Sequence, residues 1–210
     1  MADKFIYLVR HGHDMPTHDQ DQASASQAPL SPYGRKQAQA LARYMRRHQV
    51  DTVYSSVYRR ARETAGAIRE AVRGPLFEDS RFNEQVLARE RLDQATAKEI
   101  KRRMLEDPDH VPPGGTSLRD SVDDFLRALD DVERASHGHA CIVSHGFLME
   151  AALRRRFKLD PGTHLAEGSV TILRVVSGET DVLAYNVQPF FRLRVWNRLA
   201  TSVRRILEPK

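Results

Sequence analysis

Lys4-Phe5-Ile6-Tyr7-Leu8-Val9-Arg10-His11-Gly12 gathers β-branched and aromatic residues without a helical period and then stops at a glycine. That is the pattern of a buried strand, with His11 at its carboxyl end. His139-Ala140-Cys141-Ile142-Val143-Ser144 reads the same way and also stops at His-Gly, here His145-Gly146. Asp51 to Ser55 is a third, shorter strand, and Val170 to Val176 and Val182 to Tyr185 are late ones. Between them lie helical patterns. The first opens at Ser31-Pro32, with Ser as cap and Pro at the first helical position, and runs to about His48. Others cover about Tyr58 to Val72, 90–106, 117–135 and Phe147 to Phe157, and Ser117 with Asp120 has the spacing of a capping box. Strands alternating with helices predict an α/β fold, a three-layer α/β/α sandwich with a mostly parallel central sheet covered on both faces. Ligands of such sheets bind beyond the carboxyl ends of the strands.

The rest of the composition narrows the class. A chain of 210 residues, 40% hydrophobic and 29% charged, predicts one α/β domain over residues 1–189. Residues 190–210 are read as a basic amphipathic helix, part of that domain or appended to it. That tail holds six basic side chains and one acid, the whole formal excess of +5. The body is therefore balanced, and nucleic acid is not expected as a partner. The first apolar run, Phe5 to Val9, is too short for a signal peptide or a span, so the chain reads as cytoplasmic. Cys141, the single cysteine, has no internal disulfide partner. Phe147 stands where a cysteine phosphatase needs its arginine, and Cys141 reads as a small buried strand residue.

Residues 13–30 lack an apolar period and read as a mobile loop. His13, Asp14, His18, Asp19 and Asp21 in it are too irregularly spaced for a metal site, and neither a catalytic metal nor a cofactor is expected. The chemistry concentrates elsewhere. If the strands ending in His11 and His145 are parallel neighbours, both imidazoles leave the sheet on one edge. Tyr54-Ser55-Ser56-Val57-Tyr58-Arg59-Arg60-Ala61-Arg62-Glu63-Thr64-Ala65 brings arginines to a strand-to-helix turn on that edge. Helix amino termini attract anions and guanidinium forks match phosphate oxygens, so Arg10, His11, Arg60 and His145 read as a phosphoryl site.

With these residues in view, the sequence resembles the histidine phosphatase superfamily, also called phosphoglycerate-mutase-like. The hallmark Arg-His-Gly is Arg10-His11-Gly12, and Pro29 to Ala38 is similar to the family's Leu-Thr-x-x-Gly-x-x-Gln-Ala stretch. The match continues in family order through Ser55-Ser56 with Arg60 to Ala65, Phe82-Asn83-Glu84, Pro113 to Ser117, and Ser144-His145-Gly146, across roughly residues 4–175. The resemblance implies the phosphoglycerate-mutase-like fold. It implies His11 as nucleophile, Arg10, Arg60 and His145 as holders of the phosphoryl oxygens, and Glu84 as proton donor, with Glu78 and Glu90 as substitutes. The family's Arg-Ala-x-Glu/Gln-Thr order selects Arg60, with Arg59 in reserve. Cations beside His11 disfavour its protonated form and keep a lone pair available.

The resemblance also ranks the activities. A metal-independent phosphomonoester hydrolase of histidine-acid type, working through phosphohistidine on His11 upon a phosphorylated small molecule, ranks first. A mutase ranks second, because the mutase pattern Glu-Ser-x-x-Asn after the first motif is replaced by His13-Asp14-Met15-Pro16-Thr17. His13 there has two readings, a phosphate contact or, preferred, a solvated loop residue. A non-catalytic phosphate- or partner-binding module is the rival from another class. For the tail, packing on its own domain ranks above self-association into a homo-oligomer and above contact with an anionic membrane surface. Arg89, Arg91, Arg102 and Arg103 read as a solvated helix face in preference to a second anion site.

Overall fold

A computed structural model describes residues 3–15, 25–88, 92–159 and 164–190. Chain order is β1 (Lys4–Arg10), α1 (Pro32–Arg47), β2 (Val50–Ser55), α2 (Arg59–Val72), β3 (Leu76–Glu78), a 3-10 turn (Ser80–Phe82), α3 (Gln94–Glu106), α4 (Leu118–Ala135), β4 (His139–Ser144), α5 (Gly146–Phe157), β5 (Val170–Val176) and β6 (Glu179–Val187). The sheet runs β3-β2-β4-β1-β5-β6. Its β3, β2, β4 and β1 are mutually parallel, whereas β5 lies antiparallel to both β1 and β6. The expected mostly parallel sandwich is thus present, but the late strands form a hairpin rather than crossover units. Ser177 and Gly178 both have positive φ, the requirement of a tight two-residue turn whose twist suits a hairpin.

Alternation along the central strands sends side chains to two cores. Ile6, Leu8, Ala140 and Ile142 pack with Phe125, Leu129, Leu148 and Ala152 from α4 and α5. Tyr7, Val9, Cys141 and Val143 pack on the other face with Leu41, Met45, Ala65 and Ile68 from α1 and α2. Each large aliphatic side chain so enclosed contributes roughly 1.5–3 kcal/mol relative to exposure. Cys141 is a fully buried strand residue, as its apolar neighbours predict.

Helix starts follow the caps. Ser31 accepts from the Gly34 amide with Pro32 at the first position, and Ser117 accepts from the Asp120 amide. Asp120 returns its carboxylate to the Ser117 hydroxyl, not to the backbone, so the capping box is only half made. Asp93 caps α3, which therefore begins later than the pattern from residue 90 suggested. The three-residue β3 and the 3-10 turn were not expected, being too short to show a period.

The loop between β1 and α1 needs a correction. Its described ends are tied, not free: Asp14 bridges Leu30, the Met15 amide donates to the Pro29 carbonyl, and the Ser31 amide donates to the His13 carbonyl. These bonds join residues distant in sequence, which a search for local periods does not detect. Gly34 permits the crossing, since a Cβ there would fall 2.0 Å from the His13 carbonyl oxygen. Residues 16–24, with His18, Asp19 and Asp21, and the tail from residue 191 lie outside the described residues, as do Arg89, Glu90 and Arg91. No helix among the described residues is long and apolar enough to cross a membrane.

Candidate active site

Parallel pairing in register sets Arg10 opposite Ser144, so the next residues on β1 and β4, His11 and His145, leave the sheet side by side. Their rings lie 5.0 Å apart, nearly edge to face, and both are buried. Arg60, in the first turn of α2, enters between them. Its Nε donates to His11 Nε2 at 3.1 Å and its Nη2 lies 3.2 Å from His145 Nδ1. A guanidinium only donates, so both facing ring nitrogens must carry lone pairs. The remaining nitrogens complete the assignment: His11 Nδ1–H donates to the Gly12 carbonyl at 2.8 Å, and His145 Nε2–H donates to Ser56 Oγ at 2.9 Å. Both imidazoles are neutral, and the lone pair of His11 sits on Nε2.

Charge and burial enforce that state. Burial pushes the His11 pKa well below the ordinary histidine value, Arg60 adds to this, and Arg10 and His13 lower it further against the Gly12 hydrogen bond. His145 is pushed down by burial, then by Arg60, His11 and Arg10. Desolvation thus leads, where the sequence argument invoked the cations alone. The consequence is a pH dependence of stability. Unfolding releases imidazoles that titrate near ~6.5, so below that pH the unfolded chain takes up protons that the folded site refuses. Stability is expected to fall with pH from about 6.5 downward, by about 1.4 kcal/mol per pH unit for each imidazole held neutral. Partly buried His48 and His139, also lowered, act in the same direction. Urea midpoints between pH 7.5 and 5 measure it, and the His145→Gln protein should show a shallower slope. A flat midpoint would contradict the neutral pair.

Arg10 is held by the segment preceding β5: Nη1 donates to the Leu165 carbonyl at 2.6 Å and Nη2 reaches Glu167 at 3.5 Å. Its Nε is buried with no partner among the described residues. The guanidinium lies against the start of α5, where a Cβ on Gly146 would come within 3.1 Å of Nε. Arg59, by contrast, is half exposed and pairs with Glu63. Arg60 has its Nη1 on the Ala25 carbonyl and the Asp14 carboxylate 3.6 Å from Nε.

Glu84 Oε1 accepts from the Gln85 and Leu148 amides, at the amino end of α5. Its carboxylate, with Arg10 and Gly146, lines one end of a cavity of about 610 Å³. Glu78, one of the alternatives, is engaged by Arg62 on an exposed face. His13 is exposed, with Nδ1 2.8 Å from Ser31 Oγ, in agreement with the loop reading.

Several supporting residues escaped the sequence argument. Asn83 Oδ1 accepts from Ser56 Oγ at 2.8 Å and from the Val57 amide at 3.1 Å, fixing the turn that seats His145. Asn83 stood inside a matched block but next to the more conspicuous Glu84. Thr64 Oγ1 accepts from the Gly12 amide, and Gln37 accepts from the His13 amide while donating to the Glu167 carbonyl. Asn83→Ala strands the Val57 amide and is expected to cost about 1–3 kcal/mol in urea unfolding. Asn83→Asp, which keeps an acceptor, should recover most of it.

Two neutral imidazoles bridged by a guanidinium at the carboxyl ends of adjacent parallel strands define a protein built to handle an anionic group through histidine. The chain belongs to the histidine phosphatase superfamily (branch 1), whose pattern matches residues 6–188. It is 25% identical over 186 residues to "Uncharacterized phosphatase PhoE" of Bacillus subtilis, covering 87% of this chain and 94% of that protein. It is 30% identical over 151 residues to "Probable phosphoglycerate mutase GpmB" of Escherichia coli, covering 69% and 70%. In fold it is similar to the mycobacterial glucosyl-3-phosphoglycerate phosphatase, with a TM-score of 0.74 at 22% identity over 89% of this chain and 100% of that one. Bacillus stearothermophilus YhfR is similar too, with a TM-score of 0.73 at 23% identity over 88% and 97%.

Proposed function

We propose that this protein is a phosphatase that transfers the phosphoryl group of a phosphomonoester to His11 and then to water. The observation that carries the reading is the seat of Arg60 between two neutral imidazoles, which leaves the His11 Nε2 lone pair facing a cationic centre. In the first step Nε2 forms a bond to phosphorus as the ester oxygen departs, and Glu84 gives that oxygen a proton. In the second, Glu84 takes a proton from water, whose oxygen displaces Nε2 and releases inorganic phosphate. Arg60, Arg10 and His145 hold the oxygens of the group in transit. Their fixed donors offset its charge without reorganisation.

The phosphatase reading is preferred to a mutase for the missing mutase pattern after the first motif, and it is supported by the near full-length similarity to PhoE. The similarity to GpmB keeps the mutase as the second reading. The test is rapid quench with a 32P-labelled ester. An acid-labile, alkali-stable adduct on His11 that decays to free phosphate supports the proposal. An adduct that instead returns its phosphate to 3-phosphoglycerate, giving an isomerised product, reverses the ranking. No adduct together with no turnover favours the binding module.

Glu84→Gln removes the donor while keeping an oxygen to accept from Leu148. With alkyl phosphates it is expected to lower kcat by about 10²–10⁴-fold. With p-nitrophenyl phosphate, whose leaving oxygen needs little protonation, phosphorylation should suffer far less. Equal losses on both esters would take Glu84 out of the donor role.

A further inference from the structure

The cavity beside Arg10 and Glu84 is far larger than a phosphate and falls in the range of whole small-molecule sites. Two helices wall it. α5 presents Gly146, Phe147, Glu150, Ala151 and Arg154, and α3 presents Lys98, Lys101, Arg102 and Leu105. Each set has the three- and four-residue spacing of one helix face, so the cavity is a groove between two facing stripes. From Gly146 to Arg154 the α5 wall runs about 12 Å. One end is the phosphoryl end, at Arg10 and Gly146. The other end is basic.

Pairing within the walls shows which charges act outward. Arg102 is engaged by Glu99 and Glu106 of its own helix, and Arg103 by Glu99. The two carboxylates in the lining are satisfied by backbone amides, Glu84 by Gln85 and Leu148, Glu150 by Leu165. Lys101 Nζ sits over the Phe147 ring, 5.0 Å from its centroid, which directs the ammonium across the groove. Lys98 lines the same face one turn earlier. Between the two ends, Phe147, Ala151 and Leu105 supply an apolar floor.

We infer that the groove holds the leaving-group part of an ester bearing a second anionic group, carboxylate or phosphate, within about 12 Å of the transferred phosphorus, seated on Lys98 and Lys101. This rests on the phosphatase reading of the Arg10 end and adds a substrate class to it. An apolar or aromatic stem joins the two anions and lies on Phe147.

The test compares non-hydrolysable phosphonates by calorimetry on the full chain at low salt. 4-(2-Carboxyethyl)benzylphosphonate is set against its carboxamide, which has the same shape without the charge, and against benzene-1,4-bis(methylphosphonate). The carboxylate or the bisphosphonate is expected to bind about tenfold tighter than the amide, and the tighter of the two identifies the second anion. The Lys98→Gln/Lys101→Gln double variant should bring that advantage below about threefold, and added salt should erode it. Arg103→Gln, on another face of α3, should leave the ratio where it was. Equal binding of all three ligands, or an advantage that survives loss of both lysines, overturns the inference. Hydrolysis of the matching phosphate esters separates the two claims: turnover without an anion preference sinks only the groove, whereas absent binding of every phosphonate sinks the anion centre along with it.

Discussion

His11→Ala protein should release phosphate from p-nitrophenyl phosphate about 10⁴-fold or more slowly than wild type, with EDTA in both assays. The size follows from the role: a nucleophile that forms a covalent intermediate has no substitute, and oxyanion-holding groups alone recover only a small part of the rate. No other described imidazole can take over its place. His145 Nδ1 faces Arg60, but its Nε2 is committed to Ser56 and its ring is buried. The variant also leaves Arg60 Nε without its histidine acceptor. His11→Gln, which offers an oxygen near the same point, therefore accompanies it, with urea midpoints showing that both proteins are folded. Folded variants that keep wild-type turnover would remove His11 from the chemistry, and EDTA-sensitive wild-type activity would contradict the metal-independent route.

The second large effect belongs to Arg60. Three of its nitrogens have separate tasks, on His11, on His145 and on the Ala25 carbonyl. Lysine offers one compact ammonium that cannot span both imidazoles, so Arg60→Lys is expected to lower kcat/KM by about 10³-fold. Arg60→Gln loses the charge as well. Because Arg60 is the second contributor, after burial, to the depressed His11 pKa, its removal raises that pKa. The acidic limb of the kcat/KM profile should then move to higher pH. In wild type it should lie below the ordinary histidine range, since His11 stays neutral there. A limb that stays in place in Arg60→Gln, with kcat/KM within about tenfold of wild type, would reduce Arg60 to a packing residue.

Legibility differed sharply between parts of the chain. The two His-Gly strand ends were visible because a buried parallel strand is apolar on both faces and its end is marked by glycine. Arg60 was chosen over Arg59 by motif order, and burial of the one with exposure of the other agrees with that choice. Asn83 was not given a role, since its work is to accept from Ser56 and Val57 across 26 and 27 residues of chain. The tied ends of the loop after β1 were misread for the same reason. Glu167 and Leu165, which hold Arg10, carry no motif, and their partner lies more than 150 residues away in sequence.

Residue type and order along the chain determined the alternation of strands and helices, the capped helix starts, and which histidines and arginines emerge at strand and helix ends. These are consequences of local backbone preference and of periodic burial, and both act within a few residues. Only the tertiary structure decided that β1 and β4 are neighbours in a register that sets the two imidazoles together, that Arg60 bridges them, and that α3 and α5 face each other across a groove. Those are relations between segments far apart in the chain. They are selected by the packing of the whole sheet and its covering helices, a free energy that no short stretch contains.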